Sequence, residues 1–282
     1  VRTKRHKLMH FPDTGEWNLH DLEKDPREMR SVHDDPDYAP TLAEMKALYH
    51  AERTKFGVSD ATIPRPRMEQ DWWKKRHAEK VKQARLGGYD LLFIGDSITH
   101  SWENGGREVF DRYYAGRKTL NLGFSGDRTQ HVLWRLLNGE LPPQVDPKVA
   151  VLMIGTNNTG HVMQDAGETA SGIKAIIDLL RDRRPEMKIL LLGIFPRGQL
   201  ATDEKRQLNE KINTIAKGFA DGEHVHSLDL SASFLGDGGK LSNEVMPDAL
   251  HPNARGYAIW ARAMEDKLAE LGGWEKIETP AG

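Results

Sequence analysis

Short apolar runs alternate with amphipathic stretches along the chain from residue 91 onward. The runs have the length of buried strands, and they lie at 91–94, 119–122, 149–154, 189–194 and 225–228. Apolar residues at helical spacing precede the last two runs, namely Ile173, Ile176, Ile177 and Leu180, and then Leu208, Ile212, Ile215 and Phe219. Strands that alternate with such helices predict a parallel sheet covered on both faces. We therefore expect an α/β fold with a flavodoxin-like, doubly wound, five-stranded parallel sheet.

The first sixty or so residues have a different character. They are rich in charge, and their pattern predicts a helix over 41–56. Gly57 stops this helix, and Pro64 and Pro66 follow it, which indicates a linker. A second amphipathic helix is predicted over 68–85, just before the first strand. The predicted segments are a small N-terminal α+β appendage over 1–58, a linker over 59–67 and a main domain over 68–282.

Composition disfavours several classes of function. Lys and Arg total 40 against 42 Asp and Glu, so the net charge of −2 provides no broad basic surface for nucleic acid. No apolar run approaches the roughly 18 residues of a spanning helix, and no apolar signal core follows the basic residues 1–6. The chain has no Cys, so its chemistry must use Ser, His and carboxylates. His224 and His226 have no evident third ligand, and we expect neither a metal nor a cofactor.

Polar residues of catalytic type follow the first three apolar runs. Ser97 comes after the first run at a predicted strand-to-helix turn, where its hydroxyl would be exposed for nucleophilic attack; the alternative is that it only caps the next helix. Gly126 and Asn157 follow the second and third runs and could donate N–H groups to an oxyanion, although either alone is more often a turn residue. Because the carboxyl ends of parallel strands share one edge, we expect these residues at one site.

Asp248 and His251 lie three residues apart, just before a predicted apolar helix. This spacing lets one short turn carry a base and the carboxylate that orients it. Residues of these types before a proline and a helix are also common caps, so the pair alone does not decide between capping and catalysis. Together with a serine nucleophile and oxyanion donors, the pair completes the set of groups that ester hydrolysis needs.

These motifs resemble the SGNH or GDSL hydrolases over about residues 68–270. The four residues that name that family are matched by Ser97, Gly126, Asn157 and His251, and the triad acid is matched by Asp248. Similarity to the catalytic subunits of intracellular platelet-activating-factor acetylhydrolases lies in 123–136, 138–141 and 196–198. The resemblance implies the SGNH hydrolase fold and a cofactor-free esterase. It also implies a triad of Ser97, His251 and Asp248, and an oxyanion hole of Ser97, Gly126 and Asn157.

Four further residues border these motifs. Ser125 stands where the mammalian acetylhydrolases usually have glycine, but it lies outside the nucleophile motif, so we do not expect it to be the nucleophile. Ile98 and Leu250 flank the expected nucleophile and base and are candidate walls of an acyl pocket, with ordinary packing as the alternative. Arg197, after the fourth strand, is a candidate for the pocket mouth, although an exposed loop arginine is the commoner case.

The N-terminal segment resembles the carboxyl-terminal tail of type I sulfatases, in residues 7–10 and 15–29. No formylglycine motif accompanies it, so sulfatase activity is not expected of this chain. The resemblance implies either a retained structural cap or a module from a longer polypeptide that also carries a sulfatase. It further suggests an extracellular or periplasmic location, although no export signal is visible in the chain.

Three functions are compatible with these observations. The leading hypothesis is an esterase that removes acetyl groups from carbohydrates, because a sulfatase-like tail points to a decorated polysaccharide. The second is a lipid acyl hydrolase of the platelet-activating-factor acetylhydrolase or lysophospholipase type. The third is a non-catalytic carbohydrate-binding module, which an intact catalytic set argues against. The sequence specifies neither the sugar nor the oligomeric state.

Overall fold

A computed structural model describes residues 1–11, 16–55 and 59–278 of the chain. These residues divide into two compact units, Val1–Asp60 and Ala61–Gly282. The finer division into an appendage over 1–58, a linker over 59–67 and a hydrolase domain over 68–282 stays a prediction.

The first unit is a small hairpin with one helix. Its elements are β1 (His6–Phe11), β2 (Glu16–Asp21) and α1 (Ala39–Lys55). The two strands are antiparallel, and Leu8 lies opposite Leu19. Both leucines pack with Met45 of α1 in a small apolar core. The helix begins two residues before the predicted position, and residue 56, where the prediction ended it, lies outside the described residues.

The second unit alternates strands with helices. Its strands are β3 (Leu91–Gly95), β4 (Thr119–Gly123), β5 (Val149–Met153), β6 (Lys188–Leu192) and β7 (Val225–Leu228). Its α-helices are α2 (Asp71–Leu86), α3 (Ser97–His100), α4 (Arg107–Tyr113), α5 (Thr129–Arg135), α6 (Thr156–Val162), α7 (Ala166–Arg183), α8 (Glu204–Lys217) and α9 (Ala254–Gly272). None of the helices within the described ranges is long and apolar enough to cross a membrane.

The five strands form a parallel sheet in the order β4–β3–β5–β6–β7, which confirms the predicted doubly wound fold. Side chains of β3 alternate between the two faces. Leu92 and Ile94 belong to the apolar core that includes residues of α5 and α7, whereas Leu91 and Phe93 belong to the core that includes residues of α9. Strand order reverses around β3, so the loops after β3, β4 and β5 form the edge where such sheets bind ligands.

Two kinds of boundary differ from the prediction. The predicted helix over 68–85 begins only at Asp71, because Gln70 has extended backbone angles at the N-cap. The third and fourth strands end at Met153 and Leu192, before the apolar residues Ile154 and Ile194. Both isoleucines are buried without belonging to the paired part of the strand. Hydrophobicity reports burial, and a buried loop next to a strand has the same pattern as the strand itself.

Candidate active site

Ser97 begins the short helix α3 two residues after β3 ends. The cap of this helix is Asp96, whose side chain accepts a hydrogen bond of 3.0 Å from the backbone N–H of Ile98. The alternative that Ser97 serves only as the cap is therefore wrong. At Gly95, a Cβ atom would lie 2.5 Å from the carbonyl oxygen of Met153, so glycine is required where β3 turns into the site.

Ser97, His251 and Asp248 form one chain of hydrogen bonds. The Ser97 Oγ lies 2.9 Å from Nε2 of His251, and Nδ1 of that ring lies 2.6 Å from Oδ2 of Asp248. The other oxygen of Asp248 accepts hydrogen bonds from the backbone N–H groups of Leu250 and His251, at 3.0 and 2.7 Å. The following helix α9 is capped by Asn253, so neither member of the pair is needed as its cap. The arrangement has the geometry of a nucleophile, a base and an orienting carboxylate.

The two carboxylates nearest to Ser97 differ in their environments. Burial raises the pKa of Asp96 to about 7, and the hydrogen bond from the Ile98 backbone offsets this only in part. Partial burial also acts to raise the pKa of Asp248, but hydrogen bonds from the side chain and backbone of His251 outweigh it, so the pKa is lowered. At neutral pH Asp248 is therefore an ionised partner for the imidazole, as the stabilisation of an imidazolium requires.

Gly126 and Asn157 lie in the loops that follow β4 and β5. Gly126 has a φ of 75°, in the left-handed region that glycine adopts without strain. Asn157 is buried in the first turn of α6, and its Nδ2 donates a hydrogen bond of 2.9 Å to the backbone oxygen of Asp127. A side-chain amide has two N–H groups, so this bond fixes the orientation and leaves a second donor. The chemistry of these groups suits an oxyanion.

Ser125 pairs with a histidine that the sequence analysis did not identify. The His100 Nδ1 lies 3.1 Å from the Ser125 hydroxyl and accepts a hydrogen bond of 3.3 Å from the Ser125 backbone N–H. Because that N–H can only donate, Nδ1 is the unprotonated nitrogen. Burial, followed by the charge of Arg76, lowers the pKa of His100 to about 4, so the ring is neutral at pH 7. The sequence did contain a signal for His100 as a site residue, because this histidine lies one helical turn after Ser97.

The three candidate pocket residues have different environments. Ile98 is fully buried in the apolar cluster of the α9 face, and the partly buried Leu250 packs against the same cluster. Arg197 is half-buried, which lowers the pKa of its guanidinium. It donates hydrogen bonds to the backbone oxygen and the hydroxyl of Thr156, at 2.7 and 3.1 Å. Arg197 therefore braces the residue before Asn157 and is not the exposed loop arginine of the alternative.

A buried ionic network next to the loop that follows β4 was not predicted from the sequence. The carboxylate of Asp127 is fully buried and accepts hydrogen bonds from Trp73 Nε1 and Arg135 Nε, both at 2.8 Å. Arg135 also pairs with the buried Glu140, whose carboxylate lies 2.9 Å from Nδ1 of His77. The network joins α2, α5 and the segment after it to the residue that follows Gly126. Local patterns do not indicate the whole network, because Trp73 and His77 are 54 and 63 positions from their partners in the chain.

Arg67 is a second residue that sequence reasoning missed. It lies in the stretch interpreted as a linker, yet its Nη1 donates hydrogen bonds to the Ser125 carbonyl at 2.7 Å and to Asp127 Oδ1 at 3.1 Å. Both Nη atoms would lie 3.0 Å from a Cβ at Gly126. Its guanidinium therefore packs against the loop of Ser125, Gly126 and Asp127.

Two family models match the chain. The model of the GDSL-like Lipase/Acylhydrolase family matches residues 93–259. The model of the C-terminal region of N-sulphoglucosamine sulphohydrolase matches residues 1–55. Both resemblances predicted from the sequence, to the SGNH hydrolases and to a sulfatase tail, are thus confirmed.

Individual proteins agree with the first match. The chain is 35% identical over 200 residues to the platelet-activating factor acetylhydrolase IB subunit alpha1 of Homo sapiens, covering 71% of this chain and 84% of that protein. A GDSL-like lipase from Bacteroides thetaiotaomicron superposes with a TM-score of 0.59 at 16% identity, over 69% of this chain and 97% of the other. An acetylxylan esterase from Geobacillus stearothermophilus gives a TM-score of 0.51 at 20% identity, over 68% and 98%. At these identities the two superpositions establish the fold.

The family model spans more than half of the chain. The curated relative covers a similar region at an identity that supports common chemistry. The chain therefore belongs to the GDSL-like lipase/acylhydrolase family and is a carboxylic ester hydrolase.

Proposed function

We propose that the protein is a serine esterase that removes acetyl groups from acetylated carbohydrates. In this proposal Ser97 is the nucleophile, His251 the general base and acid, and Asp248 the orienting carboxylate. The observation that carries it is the continuous chain of hydrogen bonds from the Ser97 hydroxyl through His251 to Asp248. The oxyanion donors are the backbone N–H groups of Ser97 and Gly126 and the side-chain amide of Asn157.

Acylation begins when the Ser97 Oγ attacks the acetyl carbonyl carbon and His251 Nε2 takes the hydroxyl proton. Negative charge develops on the carbonyl oxygen of the tetrahedral intermediate, where the oxyanion donors stabilise it. Asp248 holds the imidazole with Nδ1–H toward its own carboxylate, so that Nε2 is free to accept the proton. Collapse breaks the ester C–O bond, and His251 returns the proton to the departing sugar hydroxyl.

Deacylation repeats the steps with water. His251 takes a proton from a water molecule, whose oxygen attacks the carbonyl carbon of the acetyl-serine. The second tetrahedral intermediate collapses to acetate, and the proton returns to the Ser97 Oγ. Leu250 is proposed as a wall that limits the acyl group to a short chain, whereas Ile98 packs in the apolar core. Arg197 is proposed to position the Asn157 loop at the pocket mouth.

The substrate assignment combines two matches. The platelet-activating factor acetylhydrolase relatives favour an acetyl group as the acyl part. The match of residues 1–55 to the C-terminal model of N-sulphoglucosamine sulphohydrolase favours a sugar as the alcohol part. We further propose that this segment belongs to a sulfatase module in a longer polypeptide, which would bring sulfate and acetyl removal to one polysaccharide.

A second candidate is hydrolysis of acetylated phospholipids. It is favoured by the 35% identity to a platelet-activating factor acetylhydrolase subunit. The sulfatase-related match gives no reason for a lipid substrate, so the carbohydrate remains the first candidate.

Acetate release from acetylated xylan and other acetylated glycans, compared with short-chain aryl esters and acetylated phospholipids, tests the proposal. Ser97→Ala should abolish turnover of every substrate, whereas the matched control Ser125→Ala should retain it, because Ser125 bonds to His100 rather than to His251. Turnover that survives in Ser97→Ala and disappears in Ser125→Ala would assign the nucleophile to Ser125. A preference of the wild type for the phospholipid would replace the first candidate by the second.

A further inference from the structure

An exposed tryptophan lies near the loop of Ser125, Gly126 and Asp127 and has no role in the chemistry described above. Trp72 is in the first turn of α2, the helix that leads into β3. The residues just before this helix approach the carboxyl edge of the sheet, where Arg67 contacts Ser125 and Asp127. Trp72 remains 41% exposed, although an indole of this size is normally buried.

The indole of Trp72 is held in a fixed position. Its Nε1 donates a hydrogen bond of 3.0 Å to Oε1 of Gln70, and the same oxygen accepts a bond of 2.8 Å from Nη2 of Arg67. The Arg67 guanidinium carbon lies 5.5 Å from the ring centroid, within the range of a cation–π contact. An exposed ring whose one polar atom is already bonded presents an ordered apolar surface to solvent.

Polar groups border this ring. The His100 ring is nearly parallel to it, with an interplanar angle of 20°, but the centroids are 6.5 Å apart, which is longer than a close face-to-face contact. Nδ1 of His100 is occupied by Ser125, which leaves Nε2 as the protonated nitrogen of the neutral ring. The ring of Trp72 thus has a guanidinium over one face and a carboxamide and an imidazole nearby.

We propose that Trp72 is a stacking platform for a sugar ring of the acetylated substrate, through the ring face that Arg67 does not cover, with Gln70 and His100 beside it. A pyranose has apolar C–H faces and a polar rim of hydroxyl groups, which match an ordered aromatic face bordered by hydrogen-bonding groups. An extended lipid chain would instead need a continuous apolar groove. This inference rests on the proposed function, because it assigns a subsite to the alcohol part of the same ester.

Direct contacts link the platform to the proposed site. Arg67 bridges the two places, since it contacts both the Trp72 ring and the Ser125–Gly126 loop. His100 is a second link, because its ring lies beside the Trp72 ring and bonds to Ser125. It also belongs to the helix that begins at Ser97. A saccharide with its acetyl carbonyl at Ser97 therefore has the platform beside its sugar residues.

The test compares Trp72→Ala and Trp72→Phe with the wild-type chain on two substrate classes. The first is a panel of O-acetylated mono- and oligosaccharides, and the second is ethyl acetate, which has no sugar. For the saccharides, Trp72→Ala should raise KM about tenfold, which corresponds to about 1.4 kcal/mol, with little change in kcat. Ethyl acetate turnover should stay within about twofold, as for a surface substitution, and Trp72→Phe should recover most of the saccharide affinity.

Leu86→Ala is the matched control, because Leu86 is an exposed apolar residue at the opposite end of the same helix. It should leave the kinetics of both substrate classes unchanged. An equal loss on saccharides and ethyl acetate in Trp72→Ala would show a structural role and overturn the platform. A comparable rise in KM for an acetylated phospholipid would overturn the sugar assignment.

The two proposals fail in different ways. If the wild type hydrolyses acetylated saccharides and Trp72→Ala retains the same KM for them, only the platform is refuted. If the wild type hydrolyses ethyl acetate but none of the acetylated saccharides, the carbohydrate function is refuted and the platform with it.

Discussion

Two adjacent asparagines allow a sharp test of the oxyanion hole. Asn157 has one N–H bonded to the Asp127 carbonyl and a second available for substrate, whereas Asn158 is fully committed to its neighbours. Asn158 donates to the Thr129 hydroxyl at 3.1 Å and to Gln164 at 2.7 Å, and it accepts from the Thr129 backbone N–H at 3.2 Å. The same substitution at the two positions should therefore have opposite consequences for catalysis and for stability.

The structure sets the expected magnitudes. Asn157→Ala removes one hydrogen bond of the folded protein, worth about 1 kcal/mol. It also removes one oxyanion donor, worth about 2.7–4 kcal/mol in the transition state, so kcat should fall roughly 100- to 1,000-fold. Asn158→Ala removes three hydrogen bonds, which at about 1 kcal/mol each gives a loss of about 3 kcal/mol in stability. Its kcat should remain within a few-fold of the wild type under conditions where it is folded.

Steady-state kinetics on a short-chain aryl ester and urea unfolding of both variants measure the two effects separately. The reasoning would be refuted if Asn157→Ala kept the wild-type kcat, since the side chain would then not reach the oxyanion. It would also be refuted if the stability loss of Asn157→Ala matched that of Asn158→Ala, because the kinetic defect could then arise from a distorted fold.

Three further substitutions test the surrounding charges. Asp248→Asn should lower kcat by about 10⁴-fold in steady-state assays, because it removes the charge that orients and stabilises the imidazolium. Arg135→Met should lower the free energy of unfolding in urea by about 3–5 kcal/mol, because Asp127 and Glu140 lose their buried partner. Burial raises the folded-state pKa of Asp96 to about 7, above the unfolded value of about 3.9, so this carboxyl group contributes a loss of stability as pH rises between these values. Asp96→Asn removes this contribution, so the urea midpoint of the variant relative to the wild type should be higher at about pH 8 than at about pH 4.

The fold could be predicted from the sequence because its signal is local. The apolar runs of the sheet are buried on both faces, so each forms a continuous block that stands out from its surroundings. The observed order β4–β3–β5–β6–β7 is the flavodoxin-like order among doubly wound sheets. The exact ends of strands could not be predicted, because Ile154 and Ile194 are buried beyond the last paired residue.

The candidate site could be predicted from the sequence only in part. The sequence predicts Ser97, Gly126 and Asn157 at one site because each follows a strand of one parallel sheet and matches a family motif. The residues that contact and position these loops could not be predicted from the sequence. Arg67 contacts Asp127 across 60 positions of the chain, and its own neighbourhood has the prolines of a linker. A contact of that separation depends on how helix α2 packs, which no local pattern specifies.

Three of the four segments that carry the proposed catalytic groups contain an aspartate whose hydrogen bonds hold the segment in place. Asp96 accepts the N–H of Ile98 beside Ser97, and Asp248 accepts two N–H groups of its own turn. Asp127, next to Gly126, anchors its loop through buried Trp73 and Arg135. Only Asp248 also contacts the imidazole, so it alone should affect proton transfer directly. The other two act on position, and their substitution should change stability together with turnover, whereas that of Asp248 should change turnover far more than stability.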